Sequence, residues 1–153
     1  MVGFVIEAIR RVDLPEVLAI ERRSFATPWS QAAFEAEMEK TYASLSVARL
    51  SVSGKIPQVL GYVCFWFVAD EIQIVNLAVH VEHRRRGVGR SLLLHACAQG
   101  SAIGASQAVL EVGESNKGAR ALYEQVGFAA VHRRYRYYPE SREDGLVMVL
   151  SLG

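Results

Sequence analysis

The sequence predicts a mixed α/β fold in which a mixed sheet carries helices on both faces. Residues 44–79 contain three apolar, strand-like runs separated by polar segments, which is typical of antiparallel hairpins. From residue 80 onward, helix-like and strand-like runs alternate, as expected for helices packed against a sheet. The length of 153 residues fits a single domain over residues 1–153, and no repeat or Ser/Pro-rich linker divides it.

The N-terminal half begins with a strand-like segment over residues 4–8. Asp13 is placed to cap a helix over residues 14–25, and Ser30 is placed to cap a second helix that reaches about Lys40. Short polar side chains favour these positions because they accept hydrogen bonds from first-turn N–H groups. Three strands are expected next, over residues 44–50, 59–68 and 72–79, the last two joined by a tight turn at Ala69-Asp70-Glu71.

The C-terminal half alternates between helices and strands. Asn116 is placed to cap a helix, and Gly127 is placed to end it, because glycine tolerates the left-handed conformation that follows many last helical turns. The expected elements are a helix over residues 87–103, a strand over 108–112, a helix that follows Asn116 and reaches Gln125, and strands over 131–138 and 146–150.

The charge balance argues against a protein that binds nucleic acid over its whole surface. Seventeen Lys and Arg residues oppose sixteen Asp and Glu residues, so we expect no direct nucleic-acid partner. Fourteen of the basic residues are Arg, which suits forked recognition of phosphate or carboxylate. Residues 84–153 carry ten basic and six acidic side chains, against seven and ten in residues 1–83. This asymmetry favours an anionic ligand in the C-terminal half, with a solvated basic face as the alternative.

The cysteines and the apolar segments point to a soluble protein without a metal site. Cys64 and Cys97 lack the spacing of a zinc site or a disulfide framework, so both are expected in the core. The N-terminus lacks a signal-peptide pattern, and the apolar run over residues 59–69 is too short to span a bilayer. We therefore expect a cytoplasmic monomer with no bound metal and no membrane partner.

A basic glycine turn lies between the strand over residues 72–79 and the following helix. Gly87-Val88-Gly89 begins the helix, where free N–H groups and the helix dipole favour an anion. The flanking basic residues are Arg84, Arg85, Arg86 and Arg90. The turn fits neither a Walker loop, which needs Gly-Lys-Ser/Thr, nor the dinucleotide fingerprint, which needs a glycine where Leu92 stands. The pattern indicates a phosphate or pyrophosphate site, with purely structural glycines as the alternative.

Glu111, Asn116 and Tyr123 form a second informative group. Apolar residues flank Glu111, and a carboxylate placed there is costly unless it is solvated, paired or functional, which makes it a candidate general base. The alternative is an exposed position on an edge strand. Tyr123 follows Asn116 by seven residues and therefore lies on roughly the same helix face. Taken singly, Asn116 is a helix cap and Tyr123 is a packing residue.

The two groups together resemble a known superfamily. Arg84-Arg85-Arg86-Gly87-Val88-Gly89 matches in full the Gln/Arg-x-x-Gly-x-Gly/Ala motif of the GCN5-related N-acetyltransferase (GNAT) superfamily. More narrowly, the chain is similar to the ribosomal-protein-alanine N-acetyltransferase (RimI) family from about residue 13 to 150. The matching segments are Pro28-Trp29-Ser30, Asn76-Leu77-Ala78-Val79, Leu110-Glu111-Val112, Ser115-Asn116, Ala121-Leu122-Tyr123-Glu124, Gly127-Phe128, Arg133-Arg134 with Tyr137-Tyr138-Pro139, and Glu143-Asp144. One departure is Gly113, where the family often has Arg.

The resemblance implies the GNAT fold, a central, mostly antiparallel twisted sheet with helices on both faces, and acetyl-CoA as the cosubstrate. It implies Glu111 as proton acceptor and Tyr123 as proton donor. The backbone N–H groups of residues 85–90 would bind the CoA pyrophosphate. The implied cofactor-binding residues are Leu77, Ala78, Val79, Arg84, Arg85, Arg86, Gly87, Val88, Gly89, Arg90 and Asn116. Candidates to line a peptide groove are Trp29, Tyr137 and Tyr138, which are otherwise a core aromatic between helices and two ordinary strand residues.

The resulting hypothesis is direct, acetyl-CoA-dependent acetylation of a protein N-terminus in a ternary complex. The family's substrate is the N-terminal alanine of ribosomal protein S18. Acetylation of a lysine side chain or a small amine is the alternative within the fold, and a non-catalytic CoA-sensing module is an alternative of another class. Arg133, Arg134 and Arg136 either steer the enzyme toward a negatively charged partner such as the ribosome or form a solvated edge strand.

Overall fold

The computed structural model describes residues 3–50, 58–138 and 143–153, and only the backbone of residues 136–138. Within these ranges, seven strands form one sheet. The strands are β1 (Phe4–Ala8), β2 (Ala43–Leu50), β3 (Gln58–Val68), β4 (Glu71–Val79), β5 (Gln107–Gly113), β6 (Ala129–Tyr138) and β7 (Glu143–Ser151). The α-helices are α1 (Leu14–Ser24), α2 (Gln31–Glu39), α3 (Val88–Ala102) and α4 (Lys117–Val126), and short 3-10 turns cover Arg11–Asp13 and Val81–His83.

The sheet order is β1-β2-β3-β4-β5-β7-β6, and every neighbouring pair is antiparallel except β4 with β5. This confirms the prediction of a mixed, mostly antiparallel sheet. The parallel pair is short, because it joins Glu71 to Gln107 at one end and ends at Ile74 with Leu110. Beyond that point β4 and β5 part, while each keeps its antiparallel neighbour on the other side.

Helices cover both faces of the sheet, as the sequence predicts. On one face, Val17 of α1 and Phe34 of α2 pack against Val47 and Tyr62, and all four are almost fully buried. On the other face, α3 supplies most of the helical contribution to a larger core. That contribution consists of Val88, Leu92, Leu93, Ala96 and Cys97, which pack on apolar residues of the central strands.

The helix caps agree with the sequence at two of three positions. Ser30 Oγ accepts a hydrogen bond from Ala33 N (3.1 Å), and Asn116 Oδ1 accepts one from Ala119 N (3.2 Å). The prediction that the Asp13 side chain caps α1 is wrong. Both of its carboxylate oxygens instead accept hydrogen bonds from Arg49 on β2, at 2.7 and 2.8 Å. Burial opposes ionisation of Asp13, but the Arg49 guanidinium outweighs it, so the pKa of Asp13 lies below its ordinary value.

Both cysteines lie in the core, as expected. Cys64 and Cys97 are buried and free of a disulfide. Burial raises the pKa of the Cys64 thiol to about 12 and that of Cys97 to about 11, so both stay protonated near neutral pH. Among the described residues, no helix has the length and apolar character needed to cross a bilayer.

Close packing around Gly61 fixes the end of β4. The pairing of β3 with β4 contains a β-bulge. Cys64 pairs with Asn76 and Phe65 pairs with Ile74, so Val75 is the extra residue of β4. Further along, Gly61 pairs with Val79. A Cβ at residue 61 would lie 2.7 Å from the carbonyl oxygen of Ala78 and 3.2 Å from Leu92 Cδ1. Glycine at this position therefore lets β4 and α3 approach β3 closely.

We expect Gly61→Ala to lower the free energy of unfolding by about 1–3 kcal/mol, because the added methyl group meets backbone rather than a side chain that can rotate away. Urea unfolding followed by circular dichroism measures the change. Gly118→Ala is the matched control: a Cβ there meets nothing within 4 Å, and alanine favours the helix. Equal stability of Gly61→Ala and the wild type would contradict the packing argument.

Candidate active site

A cavity of about 830 Å³ opens on the side where β4 and β5 part. The end of β4, the basic turn, the start of α3, one face of α4 and the end of α1 all contribute to its wall. The predicted residues that line it are Leu77, Ala78, Val79, Arg84, Arg85, Gly87, Val88, Gly89, Arg90, Asn116 and Tyr123. The structure therefore brings the basic turn together with Asn116 and Tyr123, whereas Glu111 of the second group does not line the cavity.

The backbone of the basic turn is shaped to receive an anion. Arg85 and Gly87 have φ values of 65° and 80°, both in the left-handed region that glycine tolerates best. Gly87 is the N-cap residue of α3, and it has no side chain that could accept a hydrogen bond from the first turn. The N–H groups there are open to a ligand at the positive end of the helix dipole. Arg84 Nε also donates to the carbonyl oxygen of Val79 (3.1 Å), which ties the turn to β4.

Three of the four arginines of the turn line the cavity, whereas Arg86 does not. The Arg86 guanidinium instead lies beside His83, with 3.3 Å between Arg86 Nη1 and His83 Nδ1. Burial, His80 and Arg86 all lower the pKa of His83, so its ring is neutral near pH 7. His83 itself lines the cavity and was not predicted from the sequence.

The helix α4 presents its small residues to the cavity. Asn116 and Tyr123 both line it, which confirms that they share a face of the helix. The lining residues of α4 that the sequence did not single out are Gly118, Ala119, Ala121, Leu122 and Gln125, and α1 adds Ser24 and Phe25. A glycine inside a helix is unfavourable, and at Gly118 it keeps this wall of the cavity free of a side chain. A Cβ at Gly118 would meet nothing, because the residue faces open space.

Glu111 is exposed and paired, which are two of the three conditions under which the sequence allowed a carboxylate between apolar residues. Its side chain is 32% exposed, and Oε1 accepts a hydrogen bond from Arg134 Nη1 at 2.7 Å. Of the alternative, the exposed position is confirmed, but β5 is not an edge strand of the sheet, because it lies between β4 and β7. Glu111 is the first residue of β5 after its pairing with β4 ends, and it is not among the residues that line the cavity. Glu111 therefore lies where β4 and β5 separate.

A buried carboxylate connects the end of α1 to β4 next to the cavity. Glu21 is 1% exposed. Its Oε1 accepts hydrogen bonds from Tyr62 OH (2.5 Å) and Asn76 Nδ2 (2.8 Å), and its Oε2 accepts one from Trp29 N (2.9 Å). Burial and this carboxylate raise the pKa of Tyr62, which keeps the phenol protonated. The sequence did not predict this network, because the contacts join residues far apart in the chain.

The predicted peptide-groove residues are only partly accounted for. Trp29 is half-buried and packs its ring on Phe34, with 5.2 Å between ring centroids, which agrees with the alternative of a core aromatic between helices. The backbones of Tyr137 and Tyr138 belong to β6, but their side chains lie outside the described part of the structure. The side chain of Arg136 lies outside it as well.

A model of the acetyltransferase (GNAT) family matches residues 14–128. The chain belongs to this family. It is 34% identical over 149 residues to ribosomal protein bS18-alanine N-acetyltransferase of Escherichia coli strain K12, which covers 96% of this chain and 97% of that protein. The protein of the same name in Haemophilus influenzae is 30% identical over 151 residues, which covers 97% and 99%.

Solved structures agree with this membership. The crystal structure of the Escherichia coli ribosomal-protein-S18-alanine N-acetyltransferase matches with a TM-score of 0.85 and 31% identity, over 99% of this chain and 95% of that one. Arabidopsis thaliana NAA60 in complex with acetyl-CoA matches with a TM-score of 0.87 over 97% and 98% of the chains. At 19% identity, that second likeness concerns the fold alone.

As a GNAT acetyltransferase, the protein uses acetyl-CoA as its acetyl donor. The cavity fits such a donor in size and in chemistry, because its basic turn offers N–H groups and guanidinium groups to a pyrophosphate.

Glycine at residue 89 lets α3 approach α4 and β4 closely, since a Cβ there would lie 3.3 Å from Leu122 and 3.4 Å from Val79. In the described ranges, no group of three or more His, Cys, Asp or Glu side chains could hold a metal ion.

Proposed function

We propose that this acetyltransferase acetylates the α-amine of a protein N-terminus, with the terminal alanine of ribosomal protein bS18 as its substrate. The observation that carries this proposal is the similarity to the bS18-alanine N-acetyltransferases along nearly the whole of both chains. A relationship of that extent includes the strands and loops that surround the acceptor side as well as the cofactor turn. We further propose that residues 1–153 form one domain that acts as a cytoplasmic monomer without a direct nucleic-acid partner.

The proposed cofactor site consists of the basic turn and the strand that leads into it. Backbone N–H groups of residues 85–90 and the guanidinium groups of Arg84, Arg85 and Arg90 receive the pyrophosphate. The segment Leu77, Ala78 and Val79 lies along the pantetheine arm, and Asn116 contacts the cofactor from α4. The likeness of Arg86 to the family motif suggests that its backbone N–H belongs to the same set, while its side chain points toward His83.

In the proposed reaction, acetyl-CoA supplies an acetyl group activated as a thioester. Glu111 accepts the proton of the acceptor ammonium, because an α-amine with a pKa of roughly 7.7–8.0 is mostly protonated at neutral pH. Backbone N–H groups near Val79 stabilise the oxyanion that develops when the amine attacks the carbonyl carbon. Tyr123 donates its proton to the departing thiolate, and the second proton that the nitrogen loses on becoming an amide restores the phenol. Cys64 and Cys97 take no part, because both are buried thiols.

Acetylation of lysine side chains or of a small amine is the alternative activity on the same site. Lysine has an ordinary pKa near 10.4, so its deprotonation is harder by about 3 kcal/mol than that of an α-amine in an equal environment. A CoA-sensing module without catalysis would need only the basic turn. The presence of Glu111 at the strand parting and of Tyr123 on the cavity wall favours the enzyme.

Loss of the cavity-lining arginines weakens the binding of phosphorylated donors. We expect the double variant Arg85→Ala and Arg90→Ala to raise the Kd for CoA about 10-fold or more, because each charge-assisted contact to phosphate contributes ~1.5 kcal/mol or more. Isothermal titration with CoA measures this change. Pantetheine, which has no phosphate, is the control ligand, and its affinity stays the same. An equal loss for both ligands would contradict a phosphate role.

Removal of the proposed base slows turnover and leaves the affinity for acetyl-CoA unchanged. We expect Glu111→Gln to lower kcat by roughly 10²- to 10⁴-fold, because the amide cannot accept the ammonium proton. The Kd for acetyl-CoA stays unchanged, since Glu111 does not line the cavity. Glu114→Gln is the matched control, because this residue lies nearby on the loop after β5 and pairs with Arg133 instead. A normal kcat for Glu111→Gln on a peptide amine contradicts the assignment of the base.

A panel of acceptors tests the proposed substrate class. Peptides with a free N-terminal Ala, Ser or Met are compared with an N-blocked peptide that carries an internal lysine, with release of CoA as the readout. We expect the highest kcat/KM for the Ala peptide and no measurable acetylation of the blocked peptide, because the lysine amine is the harder one to deprotonate. Acetylation of the blocked peptide alone would replace this proposal by the lysine alternative.

A further inference from the structure

An arginine from the edge of the sheet contacts the proposed base. Arg134 Nη1 of β6 lies 2.7 Å from Glu111 Oε1 of β5, although β7 separates the two strands. The guanidinium is 44% exposed and the carboxylate 32% exposed, so the pair is open to solvent. The proposed reaction assigns no role to Arg134.

The register of the three strands explains how Arg134 reaches Glu111. Arg134 pairs with Gly145 of β7, and Gly145 pairs in turn with Gly113 of β5, two residues beyond Glu111. Neither glycine has a side chain, which leaves room over this row for the long side chain of Arg134 to cross β7. The side chain of Glu143 reaches the same row, because a Cβ at Gly113 would lie 2.7 Å from Glu143 Oε1.

Arg133 gives a matched comparison on the opposite face of β6, since successive residues of a strand alternate between its faces. Its Nη1 pairs with Glu114 Oε1 at 2.6 Å and with Asp144 Oδ2 at 3.0 Å. These contacts bridge the loop after β5 to the beginning of β7 and do not involve Glu111. The two neighbouring arginines therefore have separate acidic partners.

We infer that Arg134 is a positioning residue for Glu111. This inference rests on the proposed function, in which Glu111 is the base. A partly exposed glutamate rotates about three side-chain bonds, and a hydrogen bond from a guanidinium to Oε1 restricts them. Oε2 then remains available to the acceptor amine at the parting of β4 and β5. Because an exposed ion pair adds little to folding stability, the main effect of Arg134 is on the orientation of the carboxylate.

The test is a double-mutant cycle on kcat with Arg134→Gln, Glu111→Gln and the double variant, assayed with an Ala-terminal peptide. We expect Arg134→Gln to lower kcat about 10-fold, because misplacement of a catalytic group reduces the fraction of productive encounters. In the Glu111→Gln background, the same change has no further effect, since Arg134 acts through Glu111. Arg134→Lys restores much of kcat, because an ammonium group can also donate to Oε1.

Three controls separate orientation from folding and from donor binding. The Kd for acetyl-CoA and the thermal unfolding midpoint stay close to wild type in Arg134→Gln. Arg133→Gln removes the same charge from the adjacent position and leaves kcat unchanged. The residual activity of the Glu111→Gln variants is measured at high enzyme concentration, so that a further decrease can be detected.

The possible results give distinct conclusions. If the Glu111→Gln and Arg134→Gln losses multiply in the double variant, Arg134 acts independently of Glu111 and the inference is wrong. An unchanged kcat in Arg134→Gln also overturns it, as does a lower acceptor KM at unchanged kcat, which would mean that Arg134 competes with the acceptor for Glu111. Full activity of Glu111→Gln alone would instead reject the proposed base.

Discussion

The early end of the pairing between β4 and β5 determines where this protein can hold a substrate. The two strands share a parallel ladder only as far as Ile74 and Leu110, and the extra residue Val75 follows at once on β4. Past that point, one edge of β4 stays paired with β3 while the other edge faces the cavity. Main-chain N–H and C=O groups on an unpaired strand edge need hydrogen-bond partners. This segment can therefore form main-chain hydrogen bonds with water or with bound acetyl-CoA. The turn and the start of α3 follow directly from the same strand, which brings the anion site next to the open edge.

The opening between the strands has to be stabilised from the side of α1. Glu21 does this by accepting hydrogen bonds from β3, from β4 immediately after the bulge, and from the connection between α1 and α2. A buried carboxylate without a cationic partner is costly, and three donors on two oxygens offset that cost. The same contacts fix the position of Trp29, and the end of α1 contributes Ser24 and Phe25 to the cavity. Stability and site geometry therefore depend on one polar network.

The sequence predicted the seven described strands and the four helices to within a few residues, because each is an apolar run with clear end signals. It also singled out the basic turn that lines the cavity, because the chemistry of this turn is local. The failures involve contacts between distant residues. Asp13 has the local pattern of a cap but pairs with Arg49 on β2. The partner of Glu111 is Arg134, which lies two strands away across β7 and which no local pattern indicates. The bulge at Val75 and the Glu21 network have no local signal at all.

Two sets of arginines in the C-terminal half have different electrostatic effects. Arg133 and Arg134 on β6 each lie beside carboxylates, so their charges are largely balanced where they stand. The cavity receives Arg84, Arg85 and Arg90 from the turn, together with the positive end of the α3 dipole. Opposite charges at short range cancel beyond a few ångströms, whereas like charges that converge on a cavity reinforce one another. Of these two sets of described arginines, the one at the turn therefore keeps its positive charge and attracts an anionic donor.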